Sequence, residues 1–228
     1  MSKSTLTTSA ATVTQRDSRG SKFMQNVGAC YDKARLDKDR AQFLNEQPAF
    51  IGRLAALIEE CSRPDVRFRF VTSFSIVVPQ GYDHATRLAK FRNEHEKEFA
   101  FYNGDITDGH FAKATTMLAP GSKLKVKVVQ ITETVASEDC LAFLRNQKAR
   151  LLGAQGVTFA YEQGKDKLPK GRYYASFDEK DALWEDPAGH HRVPGVYADS
   201  GGDFFFLLDY FESAWVGAGG LLCFCDEE

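Results

Sequence analysis

Residues 137–184 constrain the fold of this chain most, because a helical pattern, a glycine pair and two alternating runs joined by a lysine-rich loop follow one another there. Ser137 stands where a helix cap belongs, and Glu138 and Asp139 fall in the first turn, where the helix dipole is positive. Arg145, Lys148 and Arg150 fall toward the negative end. Leu141, Leu144 and Leu151 share a face with Lys148, whose aliphatic stem can lie along it, and Phe143 and Leu152 widen the stripe. The spacing predicts a helix over Ser137–Leu152 that Gly153 stops. Past Gly153-Ala154-Gln155-Gly156, the alternation of Val157, Phe159 and Tyr161 with polar or small residues predicts a strand. Tyr173, Ala175 and Phe177 predict a second after a lysine-rich loop, so the helix should lie across a hairpin of 157–163 and 172–178.

The rest of the chain arranges itself around that stretch. Residues 1–22 have the composition of a disordered tail, and 23–64 read as a helical appendage with a charged helix over 28–44. Pro48 opens a second helix there, with Phe50, Leu54, Leu57 and Cys61 on one face, ended by Ser62-Arg63-Pro64. Residues 65–228 form the main domain. VRFRFVTSFSIVVP becomes nearly continuous in apolar residues, the mark of a central strand. Asp83 can cap a helix that places Ala85, Leu88, His95 and Phe99 on one face, and residues 103–118 read as a loop followed by a short helix. KLKVKVVQIT is a strand with Leu124, Val126 and Val128 opposite three lysines, and the apolar run near 203–215 is read as a strand rather than a buried helix. The fold class expected is α+β, with a mixed or antiparallel sheet and helices mainly on one face.

Five scattered cysteines, an odd number, and an N-terminus without the apolar centre of a secretory signal point to a reducing, cytoplasmic setting. No apolar run is long enough for a bilayer, which excludes a membrane partner on this reading.

Chemistry is sparse. There is no nucleophile elbow and no Walker loop, and Gly153–Gly156 reads as a helix stop rather than a phosphate cradle. His95-Glu96 opens a metalloprotease-like pattern, but Phe99 stands where the second ligand belongs, so His95 reads as a part-buried helix residue. His190, His191 and Asp181, with Asp178, Glu179, Glu185 and Asp186 nearby, are the candidate catalytic residues. Adjacent histidines on a strand point to opposite faces, so one of the two can serve a given site. Asp105, Asp108 and His110 form a second polar constellation, and Cys223 and Cys225 share a strand face without a further ligand pair. No metal and no cofactor are expected.

Charge is distributed unevenly. From Arg172 onward there are three basic residues against twelve acidic ones, a formal −9 that leaves +7 for residues 1–171. The halves can neutralise each other, pair between copies, or present a basic face to nucleic acid. The leading expectation is a binding or accessory module that contacts a protein, a second copy or nucleic acid, with Lys123, Lys125, Lys127, Lys165, Lys167 and Lys170 as the nucleic-acid surface if they share a face. The alternative is a small hydrolytic enzyme with a histidine and carboxylate pocket. Convergence of His190, His191 and residues 105–110 in one concavity separates the two readings.

Overall fold

The computed structural model of the chain describes residues 25, 29, 34, 37–47, 49–50, 52–54, 65–217 and 219–227. The chain divides into two compact units at Pro64 and Asp65. In the first, helix α1 (Lys38–Asn45) is capped by Asp37, whose carboxylate accepts the Arg40 N–H at 2.8 Å. The tail expected over 1–22 and most of the second helix expected in this unit lie outside the described residues.

The second unit begins with β1 (Phe68–Val77), a 3₁₀ turn, α2 (Arg87–His95), a second 3₁₀ turn and β2 (Phe99–Tyr102). Then come β3 (Lys123–Ile131), α3 (Ser137–Asn146), α4 (Gly153–Gly164) and β4 (Arg172–Ala175). The chain closes with β5 (Trp184–Glu185), β6 (His191–Ala198), β7 (Phe204–Tyr210) and β8 (Gly219–Asp226). One sheet takes all eight strands in the order β1-β3-β8-β4-β6-β7-β2, with β5 on β6. The β4–β8 and β2–β7 pairs are parallel and the others antiparallel, so the unit is α+β with a mixed sheet. Period two sorts the side chains of β3: Leu124, Val126 and Val128 join the core beneath α2 and α4, while Val129 and Ile131 join the core beneath α3.

Two sequence expectations fail at α4. Residues 157–163 are helix, not strand, and Gly153 opens that helix instead of stopping the one before it. The reason is burial on all sides: Ala154, Val157, Phe159, Ala160 and Tyr161 are sealed, so apolar residues fill every direction and helical periodicity disappears. Glycines let this helix lie flat on the sheet, because a Cβ on Gly164 would stand 2.1 Å from the Phe74 ring and one on Gly156 2.9 Å from Phe224.

Helix α3 stops at Asn146, six residues before the expected end. Lys148 takes φ +54, the Lys148 N–H bonds to the Arg145 carbonyl at 2.9 Å, and the Ala149 N–H reaches back to the Leu144 carbonyl at 2.9 Å. That pair of bonds is a Schellman motif built on a lysine where glycine is usual. Ser137 does not cap α3: its hydroxyl donates to the Phe211 carbonyl at 2.5 Å and accepts from Trp215 Nε1 at 2.7 Å. The start of α3 is closed instead by Asp139, which accepts the Ala136 N–H at 3.3 Å.

β1 is an edge strand, not a central one. Its apolar run suggests burial on both faces, yet Phe70 is 58% exposed, and Val71 and Val77 are exposed too. A register break between Phe70 and Thr72 interrupts its pairing with β3, a feature that edge strands use to discourage further pairing. The short helix expected within 103–118 is a series of turns, and Phe99, expected on a helix face, begins β2.

Candidate functional site

The β5–β6 hairpin is built by its turn. Asp186-Pro187-Ala188-Gly189 supplies a proline at the second position and a glycine at φ +86, and the Gly189 N–H closes the turn on the Asp186 carbonyl at 2.9 Å. The Asp186 carboxylate accepts the Ala188 and His190 N–H groups at 2.8 and 3.0 Å. The His190 amide first, helped by Arg192, holds that carboxyl below the usual range. The pairing that follows sets Glu185 opposite His191 and Trp184 opposite Arg192. Strand alternation then separates the two histidines. His190 turns away to meet the Tyr210 ring edge-on at 5.2 Å, and His191 faces a cleft.

That cleft encloses about 440 Å³ and is lined by His110, Lys113, Asp181, Trp184, Glu185 and His191. His191 gives its Nδ1 to Glu212 Oε1 at 2.9 Å, and its Nε2 stands 3.9 Å from Glu185 Oε2. Burial works to raise the Glu212 carboxyl, but the hydrogen bonds from His191 and Lys180 outweigh it and hold the group down to about 2. Glu212 is therefore an anion that fixes the orientation of the His191 ring. His110 comes from the loop after β2: its Nδ1 donates to the Asp105 carbonyl at 2.8 Å, and its ring lies on Trp184 with centroids 4.1 Å apart and planes 3° from parallel. Its Nε2 has no partner among the described residues. Lys113 bonds the Asp181 carbonyl at 3.3 Å across the rim.

Behind the cleft lies Asp178, packed against Gly153 at the start of α4 and only 3% exposed. It accepts N–H groups from Glu179 at 2.8 Å and Thr115 at 3.2 Å. Burial nevertheless dominates and pushes its carboxyl up to about 6.

Of the polar constellation Asp105, Asp108 and His110, only His110 and the Asp105 backbone serve the cleft. Asp108 accepts the Leu88 and Ala89 N–H groups at 2.7 and 3.0 Å and closes the first turn of α2 from a distant loop. The lysines divide between the two faces of the sheet. Lys125 and Lys127 stand on the face away from α4, where with Lys148, Asp226 and Glu227 they border a depression of about 620 Å³, and Lys123 alternates on the same side. Lys165 and Lys167 follow α4 on the other face, where Lys165 pairs with Glu98 at 2.9 Å. The Lys170 amine lies at the β6–β7 turn, 2.9 Å from where a Cβ on Gly202 would be. The acidic C-terminal part meets the basic part through Arg150–Asp226 at 3.0 Å and through Arg145–Glu179. Cys223 and Cys225 face the same way, with sulfurs 3.7 Å apart.

Glu212 was not singled out in the sequence. Strand register alone points nearby: β6 and β7 pair antiparallel with Arg192 opposite Tyr210, so Phe211 falls opposite His191, and Glu212 one residue on reaches the His191 amide and ring. No protein-family model matches the chain, nor does any curated protein or solved structure, so the chemistry of the cleft rests on its own geometry. No helix among the described residues is long and apolar enough to cross a membrane.

Proposed function

We propose that the His110–His191 cleft is the site of a small hydrolytic enzyme. The observation that supports this reading is the convergence of two histidines, 81 positions apart in sequence, with Asp181 and Glu185 in one concavity. His191, oriented through Nδ1 by an ionised glutamate, has the arrangement of a general base that takes a proton from water through Nε2. His110, with its Nδ1 also engaged, is placed to return a proton to the leaving group, and Lys113 supplies positive charge at the rim for an anionic substrate group. The stacked Trp184–His110 pair offers a planar wall for substrate binding.

The test is turnover of a panel of chromogenic carboxylic and phosphoric esters by the wild-type protein and by H191A. Loss of a general base costs roughly a hundredfold or more in rate, and that loss in H191A supports the reading. No turnover of any ester by wild type, or equal turnover by H191A, contradicts it.

A second reading, a binding module using the β3 lysines, draws on the depression that Lys125, Lys127 and Lys148 border. It carries less weight because Asp226 and Glu227 share that rim and Lys165 stands on the opposite face with a carboxylate partner.

A further inference from the structure

A separate histidine and carboxylate cluster joins the ends of α2 and α4 and shares no residue with the cleft. Candidate ligand atoms of Glu94, His95 and Glu162 all lie within 4.8 Å of one another. Two of the three are aimed from behind. His95 gives its Nδ1 to Glu98 Oε1 at 2.9 Å, and the other oxygen of Glu98 accepts from Lys165 at 2.9 Å and from Tyr161 Oη at 3.0 Å. Glu162 accepts through Oε2 from the buried Arg87 at 2.7 Å and turns Oε1 toward His95 Nε2 at 3.5 Å. Glu94 has no other partner among the described residues.

That last distance is informative. With Nδ1 engaged by Glu98, Nε2 faces a carboxylate oxygen of Glu162, a geometry that a cation held between the two would complete. At 3.5 Å a proton makes a poor hydrogen bond. A tetrahedral zinc ion about 2.0–2.1 Å from each ligand sets its ligands about 3.4 Å apart. The carboxylate behind Nδ1 is also the usual support of a metal-bound histidine.

We propose that Glu94, His95 and Glu162 form a divalent metal site fitted to Zn²⁺. One imidazole nitrogen and two carboxylate oxygens, with no thiolate, suit zinc rather than a soft monovalent ion. The exposed side of Glu94 leaves a fourth position for water, and the bound ion pins the end of α2 to α4.

The experiment is a Zn²⁺ titration in competition with a chromogenic chelator, together with thermal unfolding in the presence and absence of zinc. The difference from H95Q is the readout, because other groups such as Cys223 and Cys225 also attract zinc. Wild type should take up one equivalent more than H95Q and gain thermal stability on binding it, and H191A should retain that equivalent, which separates this site from the cleft. Glu94 is exposed, so E94Q probes the site without disturbing the core, and it should weaken the uptake at least about tenfold. Equal uptake by wild type and H95Q, or E94Q binding as tightly as wild type, overturns the proposal.

Discussion

His95 and His191 are equally sheltered, with 23% and 20% of their side chains exposed, and each gives its Nδ1 to a glutamate at 2.9 Å. Glu98 and Glu212 are each steadied by a surface lysine, Lys165 and Lys180, so the surroundings differ on the Nε2 side of each ring. Around His95, the buried Arg87 grips Glu162 from between two helices, and the Arg87 guanidinium also lies over the Phe159 ring at 4.5 Å. Around His191, Glu212 is steadied by Lys180 at the surface, and the free side of the imidazole opens on a cleft. The same residue types therefore do different work: one cluster locks a helix pair, and the other leaves nitrogen atoms available for chemistry. Burial of the counter-charge decides between them.

The largest effect that comparison predicts comes from Arg87. R87A leaves Glu162 half-buried without its partner, and breaking a buried pair of this kind costs about 3–5 kcal/mol. K180A, which removes the surface lysine from Glu212 in a pair 46% and 35% exposed, should cost under about 1 kcal/mol. Denaturant unfolding of the two variants measures the contrast, and similar losses would erase it.

Asp178 sharpens the point from the other side, as a buried carboxylate with no cationic partner among the described residues. Its folded pKa of about 6 lies above its ordinary value of 3.8, so the folded state binds the extra proton between these limits. Its contribution to stability is full below about pH 4 and is lost as pH rises through 6. At about 1.4 kcal/mol per unit the whole effect is at most about 3 kcal/mol. Stability of D178N, measured against wild type from pH 4 to 7, should gain on wild type over that window, and parallel curves would mean that Asp178 stays ionised throughout.

Smaller effects belong to the lysines. Replacing Lys123, Lys125 and Lys127 together by Ala should change stability by less than about 1 kcal/mol, since these side chains stand on a partly open sheet face. If that face binds nucleic acid, the same variant reduces the slope of affinity against salt, because fewer counterions are released. A salt titration with single-stranded and duplex oligonucleotides reads this, and absence of binding at low salt removes the second reading.

Much of the sheet was legible because its signals are local. Alternation in KLKVKVVQI depends on neighbours in sequence, and it produced the expected strand. Helix α4 was not legible, since burial on every side removes the period that marks a helix, and Lys148 in a left-handed conformation ended α3 without the glycine that announces such an end. His110, His191 and Asp181 could each be named from the sequence. Their meeting in one cleft depends on β5–β6 pairing and on the loop after β2, which fix distances between residues that sequence spacing does not relate.

The role proposed for the cleft histidines, in chemistry and not in the fold, is tested most directly by the double variant H110A/H191A, assayed for ester turnover and thermal unfolding beside the two single variants. The expected midpoint lies within about 2 °C of wild type, as for a change of well under 1 kcal/mol in a chain this size. The expected rate is at least about a hundredfold lower, with the double variant little slower than the worse single one, as for two groups that act as a unit. A double variant that unfolds well below wild type, or that turns over substrate at the wild-type rate, would contradict it.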